Sequence, residues 1–188
     1  MREHWFASPV ITHHSSLILS NMYIRFDDID FDSRLWIYQA NRTLTDHEVS
    51  LTNQTLEAAI GGWEAHNQAL LAAVKVFHNR FVVIAVDNSH EMPSGCSIDK
   101  SVHWLQQLGG RLNVDFFDRS VAYLDANKNI QTMPVAEIKQ AVADEVISQN
   151  TPVFDNLVTS KAQWMKRWKV PADQTWIKRF FREEKESL

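Results

Sequence analysis

Six consecutive apolar residues, Phe81-Val82-Val83-Ile84-Ala85-Val86, leave this chain little choice of architecture. A strand with one wet face alternates apolar and polar residues, whereas a strand apolar at every position has to be covered on both faces. The run predicts the central strand of a sheet that carries a layer on each side. Leu71 to His78 is a second strand-like run just upstream, and Asn79-Arg80 between them reads as a tight turn. Arg34-Leu35-Trp36-Ile37-Tyr38-Gln39 is a third strand, rich in β-formers.

Helix signals lie between and after these strands. Thr45-Asp46-His47-Glu48 is a capping box, in which the threonine hydroxyl and the glutamate carboxylate each satisfy a main-chain N–H. The helix it opens puts Val49, Leu56, Ile60 and Trp63 on one face, and Gly61-Gly62 weakens its end. Ser97 is expected to cap a second helix, with Ile98, Val102 and Leu105 inward and Gly109-Gly110 as its stop. Ser120 to Leu124, a turn at Asp125–Asn129 and Ile130 to Met133 read as a further hairpin. Up to Leu124 the order is strand, helix, strand, strand, helix, strand, the split βαβ order of ferredoxin-like folds.

Pro134 suits the first position of a third helix with Val135, Ile138, Val142 and Val146 inward. Val153 to Val158 reads as a short strand, Lys161 to Lys169 as a helix stopped by Pro171, and Trp176 to Phe181 as a final short helix. The expected fold is therefore α+β: a ferredoxin-like core with an added hairpin and C-terminal helices, forming one domain over residues 22–188. Residues 1–21 show no period and are expected to be a disordered extension, with Met22 as an alternative start.

Hydrophobic residues make up 45% of the chain and charged residues 22%, which is enough apolar matter for a real core. A single cysteine cannot form an internal disulfide, so a reducing, cytoplasmic setting is expected. No apolar run approaches the ~20 residues of a membrane span. Charge is unevenly spread. Residues 161–188 carry eight Lys/Arg against four acids, so the remainder of the chain is strongly acidic. Trp164, Trp168, Trp176, Phe180 and Phe181 are interleaved with that basic charge and could stack nucleic-acid bases. The four-residue spacing of Trp164 and Trp168 favours a helix face docked into the core instead.

The best candidate site in the sequence is Pro93-Ser94-Gly95-Cys96-Ser97-Ile98-Asp99-Lys100-Ser101, at a strand-to-helix junction. Main-chain N–H groups at a helix start favour an anion. Ser94, Gly95, Ser97, Lys100 and Ser101 are the candidate ligand-binding residues. Cys96 is a candidate nucleophile, since a helix start favours the thiolate, with His103, or His78 or His90 through the fold, as its base. The histidines have no metal-ligand spacing, and Asp27, Asp28, Asp30 and Asp32 lack the glycine and glutamate of a calcium loop. No metal and no cofactor are expected. A small ligand or a protein is the expected partner.

The stretches Arg34–Arg42, Ser94–His103 and Phe154-Asp155-Asn156-Leu157-Val158 resemble an uncharacterised family of small Bacteroidetes proteins that often carry the automatic name "ABC transporter ATPase". The resemblance brings no catalytic residues. The name fails on chemistry. A phosphate-cradling loop needs a glycine directly before its lysine, and none of the five glycines precedes one. At Asp99-Lys100-Ser101 an aspartate stands where that glycine would be, and its charge repels phosphate.

Overall fold

The structure, a computed structural model, describes residues 23–89 and 91–181. The expected extension over residues 1–21 and the alternative start at Met22 lie outside the described residues. Strand β1 (Arg34–Gln39) leads into helix α1 (Asp46–Ile60), then a small hairpin of β2 (Glu64–Ala65) and β3 (Gln68–Ala69). The hairpin β4 (Ala72–Phe77) and β5 (Phe81–Val86) precedes helix α2 (Gly95–Leu112). The second half comprises β6 (Val121–Leu124), β7 (Ile130–Met133), α3 (Ile138–Ala143), β8 (Pro152–Phe154), α4 (Lys161–Arg167) and β9 (Lys169–Pro171). It ends in a 3-10 turn over Trp176–Phe181.

The apolar run is the middle strand of an antiparallel sheet ordered β1-β5-β4, and all six of its residues are buried. Val82, Ile84 and Val86 pack with Leu56, Ile60, Leu105 and Leu108 from α1 and α2. On the opposite face Val83 and Ala85 meet Phe26, Ile29 and Leu35, and Phe81 meets Phe154 and Trp168. Each fully buried Val or Ile contributes about 1.5–3 kcal/mol, so this strand anchors both layers. The turn into it is centred on His78 and Asn79, both left-handed at φ 51°, not on Asn79-Arg80; the Arg80 N–H closes it on Phe77 O at 3.0 Å.

The α1 capping box forms as expected: Glu48 N–H donates to Thr45 Oγ1 (3.2 Å) and Thr45 N–H to Glu48 Oε2 (2.8 Å). Arg42 adds a two-pronged pair to the same carboxylate at 2.7 and 2.9 Å. The α2 cap differs from expectation. Ser94, not Ser97, is the capping residue: its backbone is extended, and its Oγ accepts the Ser97 N–H at 3.2 Å. Ser97 already lies inside the first turn, where its hydroxyl donates to Ser94 O. Nor do Gly109-Gly110 stop the helix. It continues to Leu112 and turns off at Asn113, whose left-handed conformation serves the same purpose. Gly109 is there for space: a Cβ would lie 2.5 Å from Val114 O.

The second sheet is antiparallel and ordered β7-β6-β8-β9. Here the expected ferredoxin-like core is not completed. Ser120–Leu124 was to be the fourth strand of the first sheet, but β6 pairs with β7 and β8 instead. The free edge of β1 is occupied at both ends by other segments. Leu35 N–H donates to Thr159 O (2.9 Å) at one end, and Asp118 N–H to Gln39 O (3.1 Å) at the other.

The second sheet buries Val121, Tyr123 and Val153 against Ile138, Val142, Ile147 and Ile177. Helix α3 is shorter than its apolar pattern suggested: a 3-10 turn over Val135–Glu137 precedes it, and left-handed Glu145 follows it, leaving Val146 exposed. Pro171 belongs to β9 and does not itself terminate α4. Trp164 and Trp168 stack at 5.2 Å and pack onto Phe77.

Candidate functional site

A cleft of about 480 Å³ opens where β6 and β8 part company. The two strands pair at Tyr123 and Val153. Three residues further along that register, Ser120 and Asn156 would face each other, but the Gln39 side chain stands between them. Its Nε2 donates to Ser120 O (2.9 Å) and to Asp118 Oδ2 (3.0 Å), while its Oε1 accepts from Asn156 Nδ2 (3.0 Å). Trp168 Nε1 donates to Asn156 Oδ1 at 3.0 Å. The result is a directional chain, Trp168 to Asn156 to Gln39, ending on the Asp118 carboxylate. Such chains polarise one another and strengthen cooperatively.

Gln39 is placed there by strand geometry. Residues 35, 37 and 39 of β1 share one face, so Gln39 continues the stripe of Leu35 and Ile37 into the interior, where it is 2% exposed. Asp118 is held by its own turn, its Oδ1 accepting the Ser120 N–H at 2.9 Å. Burial raises the Asp118 carboxyl. Hydrogen bonds from Ser120 and Gln39, with the Arg80 charge, outweigh burial and leave it below the usual carboxylate range. Arg80 is itself buried, donating to Ala40 O and Thr43 Oγ1, and its burial lowers it.

The walls of the cleft are mostly apolar. Ile37, Phe116, Val121, Val153, Phe154 and Trp176 are among the apolar residues that line it. Asp118, Asp155, Asn156 and Arg119 supply its polar points. Residues 37–39 of β1 and residues 154–157 after β8 both line this cleft. No cysteine, histidine or lysine lines it.

The residues singled out in the sequence lie elsewhere. Ser94 and Ser97 are brought together at the start of α2, but their hydroxyls serve the helix. Ser101 Oγ likewise donates to Ile98 O at 2.7 Å. Gly95, Cys96 and Lys100 are exposed. His103 is exposed as well, its ring nitrogen 2.8 Å from Gln107 Nε2. None of these residues lines a described cleft. In the C-terminal segment Trp168 is 6% exposed and Trp164 packs between Phe26 and Phe77, so these rings are not free to stack on bases. Arg179 lies over Trp176 and Phe180.

Sequence reasoning missed Gln39, Asp118 and Asn156. A polar residue in phase with the inward stripe of β1 was the available signal. Among the described residues no three His, Cys, Asp or Glu side chains converge to hold a metal ion, and no helix is long and apolar enough to cross a membrane. No family model, curated protein or solved structure matches this chain.

Proposed function

We propose that this is a cytoplasmic binding protein whose ligand site is the cleft between the two sheets. One observation carries the reading: an apolar cavity of about 480 Å³ whose base is a buried, hydrogen-bonded chain of polar side chains. Ligand sites commonly have this size and this mixture of apolar wall and few placed polar groups. The first sheet has three strands, and β6 pairs in the second sheet, which leaves part of the β1 edge open beside the cleft. The test uses anilinonaphthalene sulfonate as an apolar probe, followed by fluorescence. Val135→Trp and Leu157→Asp change exposed wall residues without touching the core. The expected result is saturable binding weakened by both substitutions at unchanged melting temperature. Binding indifferent to both would discard the cleft as the site.

A second reading rests on the exposure of Cys96 in the first turn of α2: a thiol-dependent activity, with His103 as base and Ser94, Gly95, Ser97, Lys100 and Ser101 around an anion. Alkylation of native Cys96 faster than that of a free thiol supports it. Alkylation no faster than the reference ends it.

A further inference from the structure

We infer that the cleft takes a short extended peptide, which pairs with the open edge of β1 at Ile37 and seats an apolar side chain in the cavity. The inference rests on the cleft being the ligand site and names the class of ligand. It begins with the register of β1. Ala40 N–H donates to Arg80 O, which continues the antiparallel β1–β5 ladder and assigns residues 34, 36, 38 and 40 to it. Residues 35, 37, 39 and 41 therefore turn their N–H and C=O groups to the other edge. Leu35 N–H is used there by Thr159 O, Gln39 O by Asp118 N–H, and Asn41 N–H by Asp115 O. Between these ends, Ile37 N–H and C=O take no partner among the described residues. Ile37 is half-buried and lines the cleft.

One residue thus presents a donor and an acceptor side by side on an open strand edge. An extended peptide residue supplies the matching acceptor and donor, as a strand added to a sheet edge does. The surroundings fit a peptide too. Leu157 and Val135, 72% and 45% exposed, form an apolar rim where a side chain would enter. Asp118 and Asp155 come from the two segments that flank the open edge, and Arg119 is the one cation among the lining residues. Arg80 lies behind Asp118, so the carboxylates at the cleft, Asp155 foremost, favour a basic residue beside the apolar anchor.

The probe is acetyl-lysyl-leucyl-lysine amide, titrated into the whole protein by calorimetry and by NMR of the Ile37 amide. Three control peptides carry an N-methylated leucine, glutamates for the lysines, or serine for leucine. The expected result is that the parent peptide binds and shifts the Ile37 amide. N-methylation, which removes one hydrogen bond and adds bulk at the edge, should weaken binding by about tenfold. The glutamate and serine peptides should also bind less well. Equal binding of the N-methylated peptide overturns the pairing. If no peptide binds while anilinonaphthalene sulfonate still binds and Val135→Trp still blocks it, the peptide class is wrong and the cleft reading survives. Loss of both signals removes both.

Discussion

Replacing Gln39 by leucine tests whether the polar chain under the cleft holds the two sheets in register. The side chain is nearly the same size and fully enclosed, so Gln39→Leu removes hydrogen bonds with little change in volume. Three groups lose their partner: Asp118 Oδ2, Ser120 O and Asn156 Nδ2. A hydrogen bond to a charged group is worth about 1.5–3 kcal/mol and a neutral one about 0.5–1.5. The gross loss is therefore about 2.5–6 kcal/mol. Water at the cleft can re-solvate part of Asp118 and Asn156, and the buried leucine gains transfer energy, so the net is set near the lower bound, about 3 kcal/mol. For a chain of this size that lowers the melting temperature by roughly 6–12 °C.

Urea unfolding followed by tryptophan fluorescence measures the loss, and a double-mutant cycle with Asn156→Ala should show coupling between the two sites. Gln39→Glu is the companion. It sets a second carboxylate beside Asp118, so its destabilisation should be greatest near neutral pH and relax as acid protonates the pair. The leucine variant should show no such recovery. Stability of Gln39→Leu within about 0.5 kcal/mol of the parent protein would refute the reasoning, because three unmet groups cannot cost so little.

Other consequences are local. The Arg42 pair and the N-cap bonds lower Glu48 to about 2. Its contribution to stability is present above the ordinary carboxylate range and is lost as pH falls toward 2; NMR titration of its carboxyl should show this, and Arg42→Ala should return the midpoint toward ordinary values. Gly109→Ala should destabilise by about 2 kcal/mol or more because its methyl meets Val114 O, whereas Gly110→Ala, with open space around it, should stabilise by about 0.5–1 kcal/mol. The same sign for both, measured by chemical unfolding, would contradict the packing around Gly109. Ser94→Ala should cost about 1 kcal/mol as a lost cap. Cys96→Ser should change stability by less than about 0.5 kcal/mol, since the thiol is exposed; denaturant unfolding of the two variants compares them directly.

What the sequence by itself determined is what neighbouring residues settle. The Thr45–Glu48 capping box, the two-sided burial of Phe81–Val86 and the inward face of Trp164 and Trp168 each follow from residues within a turn or a strand of one another. Even locally, competition blurred the ends: Ser94 and Ser97 are both good caps, and only the extended backbone at Ser94 decides between them. The tertiary structure alone decided which sheet received β6 and that a cleft opened beside it. Gln39 meets its partners across 79, 81 and 117 positions of sequence. Hydrophobic periodicity says which face of a strand is buried, but it does not say which edge a strand will pair with. That choice fell to main-chain groups of Thr159, Asp115 and Asp118, which reached the edge of β1 and left room between them.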